Sequence, residues 1–216
     1  MSTQIKTFKM RGTVKFANLL TPKSFDPSSN KFVEDTIKGA YGVSLLLDKT
    51  KENEDIIRDL KIHVGLLYTA YCQSDAYQSK KSKKELQPSI CGISNDIDEC
   101  NKPTGKYLVR FKRNAQNKDG KVAQIKFYNA VKQPYILTDE IGSGSDIVIQ
   151  YCVYDNAIDG REKIDGKLID ITNHYSTFCI LGVQVVNHKL YSGDNSWMEG
   201  DDSSENIDDK EYLGIQ

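Results

Sequence analysis

The side chains best suited to chemistry in this chain are bases that alternate with aromatic rings. In the run from Lys106 to Arg113, Lys106, Arg110 and Lys112 point away from Tyr107, Val109 and Phe111. Between Lys121 and Asn129, Lys126 and Tyr128 oppose Ile125 and Phe127. Lys6, Lys9 and Arg11 alternate with Phe8 and Met10, and the segment TPKSFDPSSNKFVED carries Lys23 and Lys31 beside Phe25 and Phe32. Single-stranded nucleic acid calls for both types: cations follow the phosphates, and flat rings accept unpaired bases at roughly 1–3 kcal/mol each. Most of the 12 Tyr and 7 Phe read as core. A ring that alternates onto a basic face, such as Tyr128 or Tyr154, is the better stacking candidate. The cluster KKSKK (residues 80–84) reads either as a solvated loop beyond a helix or as a phosphate contact.

Other chemistries find less support. Five cysteines are too few and too scattered for a disulfide framework. Cys91 and Cys100 flank the loop CGISNDIDEC, with His63 upstream, but lack the short spacing that sets two thiolates on one zinc ion. Asp96, Asp98 and Glu99 lack the glycine and the distal glutamate of an EF-hand loop. A metal-dependent nuclease using these carboxylates is the enzyme alternative. Gly142-Ser143-Gly144 precedes a strand instead of joining strand to helix, so it reads as a turn and not a phosphate cradle. His63, His174 and His188 have no triad or metal-helix spacing, and no G-x-S-x-G or P-loop is present. The expectation is a protein without catalysis, metal or cofactor.

Charge divides the chain. The formal net charge of −1 conceals a segment, residues 194–216, with eight acids against one base, a net of −7. Residues 1–193 carry 28 bases and 22 acids, a net of +6. This pattern suggests a body that binds a polyanion and a tail that imitates one. The expected division is one domain over 1–193 and an acidic, disordered tail over 194–216. The tail also holds Trp197, Met198, Ile207, Tyr212, Leu213 and Ile215, which divides it into an acidic middle and an apolar-tipped end offered to a partner. No run approaches the roughly 20 apolar residues of a membrane span. The start, MSTQIKTFKMRG, has no secretory h-region, so the cytoplasm is the expected compartment.

The elements that position these residues follow from periodicity. Residues 4–20 alternate loosely as a strand with a wet basic edge and a bulge expected at Gly12. Lys38–Asp48 places Tyr41, Val43, Leu45 and Leu47 on one face. Ile56, Ile57, Leu60, Val64, Leu67, Tyr68 and Tyr71 form the stripe of one long helix, with Asn53 as its expected cap. Lys106–Arg113 and Lys121–Asn129 read as a hairpin around Asp119-Gly120. Asp146–Tyr154 is another strand, NAIDGREKIDGK a protruding loop or short hairpin, and the last apolar run one or two strands. Five to seven strands with one helix after the second predict a mainly β antiparallel barrel.

Taken in order, these pieces resemble the replication-type single-stranded DNA-binding proteins of short-tailed bacteriophages. RGTVKFANLLTPKSF is similar to the family's first strand and Pro-containing loop, KGAYGVSLLLDK to its second strand, and YLVRFKRNAQNKDGKVAQIKFYNA to its lysine-rich hairpin. IGSGSDIVIQYCVY resembles the glycine-rich turn and following strand, and the last strand before SGDNSW its exit into the tail. The resemblance implies a five-stranded oligonucleotide-binding (OB-fold, Greek-key) barrel with one long helix after the second strand. It implies Lys106, Arg110, Lys112 and Lys126 as phosphate contacts, with Lys6, Lys9, Arg11, Lys23 and Lys31 as further candidates. Tyr151 or Tyr154 would stack on bases. It implies a protein that coats single-stranded DNA in replication, recombination and repair, and that pairs as a homodimer. The tail, through Trp197, Asp201, Asp202, Asp208, Asp209, Glu211, Tyr212 and Leu213, would compete for the groove and recruit replication proteins such as DNA polymerase and helicase-primase. The family's tail ends on an aromatic residue, whereas Tyr212 here stands near the end but not at it. An interaction protein that acts through its tail, with weak DNA binding, is the alternative from another class.

Overall fold

Alternation of apolar and polar residues, regular in places and interrupted in others, builds the strands that dominate this chain. The computed structural model describes residues 6–79, 84–85, 89–90, 92–117, 119–164 and 167–190. In order, the elements are β1 (Thr7–Asp26), β2 (Lys31–Glu34), β3 (Ala40–Asp48), α1 (Lys51–Gln73), α2 (Asp75–Gln78), β4 (Lys84–Glu85) and β5 (Ser89–Ile90). There follow β6 (Ile93–Ile97), β7 (Pro103–Asn114), β8 (Lys126–Tyr128), β9 (Asp146–Ile164) and β10 (Lys167–Asn187). No helix among the described residues is long and apolar enough to cross a membrane.

The described residues form two compact units. The first takes the chain up to Lys49, Gly92–Cys152 and the stretch from Phe178; the second takes the stretch from Thr50 and Val153–Thr177. In the first unit β1 pairs with β9 and β3, and β3 with β7, all antiparallel. β10 lies beside β9 and meets β7 in parallel at Cys179 and Lys112. The sheet thereby closes on itself as a five-stranded barrel in the order β1–β3–β7–β10–β9, the oligonucleotide-binding arrangement expected from the resemblance. The helix follows the second barrel strand, β3, since β2 is a short strand on the connection between β1 and β3.

The barrel interior is filled by alternate residues of each strand. Met10, Val14, Val43, Leu45, Leu47, Val109, Phe111, Ile147, Ile149, Phe178 and Ile180 are all buried. Each such side chain contributes about 1.5–3 kcal/mol on leaving water. Tyr151 sits among Phe8, Phe111 and Phe178, at ring-centre distances of 5.6, 5.0 and 5.8 Å.

In the second unit, α1 buries Ile57, Leu60 and Val64 of the expected stripe. Further along, Tyr68 and Tyr71 set their rings 5.3 and 4.7 Å from the buried imidazole of His174 on β10. The segment NAIDGREKIDGK belongs to the turn end of a long β9–β10 hairpin, pinned by Thr172 Oγ1 donating to Asp159 at 2.9 Å and Arg161 Nε donating to Asp170 at 3.0 Å. The last apolar run is one continuous strand of 21 residues.

Three local expectations are corrected. The cap of α1 is Thr50, whose hydroxyl accepts from the Asn53 backbone N–H at 3.3 Å; Asn53 already lies in the first turn. Gly12 is in regular register with Ile147, and the irregularities fall between Val14 and Phe16 and between Asn18 and Lys23. Glycine at 12 answers a close approach instead, because a Cβ there would lie 2.9 Å from the Leu46 carbonyl oxygen. The hairpin expected from 106 to 129 forms only around its turn, and its two long runs do not pair with each other. β8 runs parallel to β10, with Lys126 opposite Gly182 and Tyr128 opposite Gln184. A short antiparallel reversal follows β7, with Gln116 opposite Val122, Ala123 N–H donating to the Ala115 carbonyl at 2.7 Å and Asn117 N–H to the Lys121 carbonyl at 2.9 Å. Alternation identifies a strand but not its partner, and β7 already pairs with β3 and β6.

Candidate nucleic-acid interface

The outer face of β1, β3 and β7 gathers the most concentrated set of candidate residues. Register fixes its rows. Phe16 stands opposite Ser44, and Ser44 opposite Arg110; Asn18 opposite Gly42, and Gly42 opposite Lys112; Lys23 opposite Ala40, and Ala40 opposite Asn114. These residues alternate with the inward Val43, Leu45, Val109 and Phe111, so they share the side turned away from the core. The middle strand offers only small side chains, Ala40, Gly42 and Ser44. The flanking strands carry the long ones: Phe16 and Lys23 on one side, Arg110 and Lys112 on the other. The result is a shallow channel over Ala40 and Gly42, both half-buried, with Lys23 on one wall and Lys112 on the other; at the row of Phe16 and Arg110 the floor is covered, Ser44 being 1% exposed. Asn18 lies across its floor, its Nδ2 donating to the Ala40 carbonyl at 3.0 Å. Glycine at 42 leaves room for that amide, since a Cβ there would lie 2.8 Å from Asn18 Oδ1.

Of the expected phosphate contacts, the structure brings Lys23, Arg110 and Lys112 together on this face. The others are dispersed. Lys9 and Arg11 lie on the part of β1 that pairs with β9, opposite Gln150 and Val148. Arg11 grips Asp146 with its guanidinium, Nε donating at 3.1 Å. That hydrogen bond, and then the carboxylate's charge, raise the Arg11 pKa above its ordinary value. Lys106 holds Asp48 at 3.1 Å. Lys6 sits over the Phe8 ring, 5.1 Å from its centre. Lys31 stands opposite Asp26 in the β1–β2 register, and Lys126 stands on β8. The cluster of residues 80–84 is not described in its side chains.

The expected stacking rings divide three ways. Tyr151 is corrected: at 1% exposure it is a core residue, and burial pushes its hydroxyl up to about 12. No base reaches it in this fold. Alternation already places it with Ile147 and Ile149, on the buried side of β9. Tyr128 is half-buried on β8, and Tyr154 is 43% exposed in the second unit. Sequence reasoning missed Phe16 as an outward ring, because the register shift after Val14 turns it out of the core series. It also missed the small face of β3, although the alternation of Ala40, Gly42 and Ser44 was readable in the sequence.

The acidic loop is built as structure. Asp96, 4% exposed, accepts from Lys15 Nζ at 2.7 Å and from Thr104 Oγ1 at 2.8 Å. Asp98 accepts from the backbone N–H groups of Cys100 and Lys102 at 2.9 and 2.8 Å. Among the described residues, no three His, Cys, Asp or Glu side chains converge as a metal site would require. Cys91 lies outside the described residues, as do Trp197, Asp201, Asp202, Asp208, Asp209, Glu211, Tyr212 and Leu213 of the tail.

No family model and no curated protein sequence matches the chain. Among solved structures, the chain is similar to gp2.5, a single-stranded DNA-binding protein encoded by bacteriophage T7. The TM-score is 0.55, with 17% identity over 90% of this chain and 94% of that one. It is also matched, at a TM-score of 0.45 and 13% identity, to the single-stranded DNA-binding protein from bacteriophage Enc34 in complex with single-stranded DNA, over 87% of this chain and 89% of that one. The resemblance anticipated from the order of sequence pieces therefore holds at the level of fold: the chain has the barrel fold of the T7 protein.

Proposed function

We propose that this chain is a non-catalytic, sequence-independent binder of single-stranded DNA that works along the outer face of β1, β3 and β7. The observation that carries the proposal is the register that sets Lys23, Arg110 and Lys112 around the small side chains of Ala40 and Gly42. Cations on either side of a shallow floor suit a flexible phosphate chain. Phe16 adds a ring across β3 from Arg110. The likeness of fold to a protein that binds single-stranded DNA supports the same polymer. Attraction of phosphates would supply the salt-sensitive part of the affinity, and ring stacking a less salt-sensitive part.

The remainder of the proposal concerns the chain's biology. The protein would coat exposed strands in phage replication, recombination and repair, in the host cytoplasm. Its acidic segment, residues 194–216 with a net charge of −7, would compete for the channel and recruit replication proteins such as DNA polymerase and helicase-primase. A homodimer is the proposed assembly. The test is a titration of the full chain and of a chain lacking residues 194–216 on single- and double-stranded DNA, at low and high salt, with magnesium present. The proposal expects preference for the single strand, an intact strand after incubation, and tighter binding without the tail. Cleavage of the strand would favour a nuclease, and no measurable binding by either chain would overturn the proposal.

A further inference from the structure

We infer that the arm formed by the end of β1 and β2 is a base-stacking subsite, in which the cross-strand pair Phe25–Phe32 takes an unpaired base. The inference rests on the proposed binding of single-stranded DNA and extends it beyond the three-strand channel. Phe25 stands directly opposite Phe32, and their rings meet edge to face at 5.5 Å. Both stay largely in water, at 49% and 56% exposure. Two phenyl rings on a four-pair arm with nothing packed over half their surface form a platform with an open π-face.

The arm is built to hold them still. At its tip, the Asp26 carboxylate accepts from the Ser28 hydroxyl and backbone N–H and from the Ser29 hydroxyl, at 2.7, 3.0 and 2.8 Å. At its base, Asp35 accepts from the backbone N–H groups of Lys38 and Ile37 and from the Ser24 hydroxyl, at 2.8, 2.9 and 3.0 Å. These bonds hold both carboxyls below the usual aspartate pKa. Gly39 closes the base where a Cβ would lie 2.2 Å from the Asp35 carbonyl oxygen.

Register also aims the rings. Lys23 shares a row with Ala40 and Asn114, the row after that of Lys112. Phe25 lies two residues beyond Lys23 on the same strand, hence on the same side. A strand following the channel past Lys112 and Lys23 would therefore meet the Phe25–Phe32 pair next. An unpaired base offers a flat face to these rings, whereas a duplex keeps its bases stacked on one another.

The experiment compares the full chain with Phe25→Ala/Phe32→Ala and Phe25→Tyr/Phe32→Tyr variants, titrated with oligothymidylate across a salt series. The alanine variant is expected to bind roughly fivefold to 150-fold more weakly at every salt, the range for losing one stacked base. Its slope of log affinity against log salt should match that of the parent, and the tyrosine variant should keep the parent's affinity. A parent that binds and an alanine variant that binds equally well would overturn the inference and leave the proposed function standing. Absence of binding by the parent would overturn both. A change in sedimentation without a change in affinity per protomer would mark the pair as a self-association surface and overturn the inference too. If the alanine variant does not fold, Phe25→Trp in a Trp197→Phe background replaces it: quenching on adding oligothymidylate supports the subsite, and unchanged emission overturns it.

Discussion

Salt dependence separates the cations of the channel face from Arg11 and Lys106, which hold Asp146 and Asp48. Each phosphate neutralised on a single strand contributes about 0.7 to the slope of log affinity against log salt. The channel presents three cations, Lys23, Arg110 and Lys112, so they should account for a slope of about −2. By that slope, a rise from about 50 to about 200 mM salt weakens binding roughly 16-fold. Replacing all three with glutamine should flatten the slope by about 2. Arg11 and Lys106 are the matched control. Each already holds a carboxylate, Asp146 and Asp48 respectively, so neither has much counterion to release on binding. Their joint replacement by glutamine should move the slope by less than about 0.7, the share of a single contact. The assay is fluorescence anisotropy of labelled oligothymidylate over the salt series, with thermal unfolding as a check on each variant. If the control flattens the slope as much as the channel variant does, the assignment of the face is wrong.

Four further outcomes follow from the fold. Gly65 lies inside α1, and a Cβ added there would meet nothing within 4 Å. Its replacement by alanine should gain about 0.5–1 kcal/mol of stability, read by urea unfolding. Gly142→Ala should lose about 1–3 kcal/mol in the same assay, because the new Cβ would lie 2.5 Å from the Leu190 carbonyl oxygen. Tyr151→Ala should cost about 3–5 kcal/mol, with the affinity of the folded fraction for DNA unchanged. The raised pKa of Tyr151 has its own signature: the unfolded chain releases this proton near pH 10 and the folded one near 12. Its contribution to stability is thus complete below pH 10 and is lost as pH rises toward 12. Tyr151→Phe should reduce the fall of the thermal midpoint over that window.

Period and chemistry made some elements legible and left others hidden. The stripe of α1 and the inward series Val43–Leu45–Leu47 were readable because the apolar residues of each recur at the period of its element. The partner of β8 was not, since the alternation around Lys126 is the same whether its neighbour is β7 or β10. Closure of the barrel was equally hidden, for it rests on a parallel meeting of Cys179 with Lys112, far apart in the sequence. At the site, the bases were visible as residue types, but their partners were not: nothing in the spacing ties Arg11 to Asp146 or Lys15 to Asp96. Tyr151 is the instructive miss. Its own alternation with Ile147 and Ile149 pointed inward, and the resemblance to a family drew it outward.

The most direct test of the account is a map of the residues that oligothymidylate protects. Backbone amide signals of the full chain, followed by NMR during a titration, would provide it. The account predicts that the largest changes fall on residues 16–18, 23–25, 40–44 and 110–114, which line the outer face of β1, β3 and β7. Changes centred instead on the β1–β9 side, around Lys9, Arg11 and Gln150, with the channel left undisturbed, would contradict it.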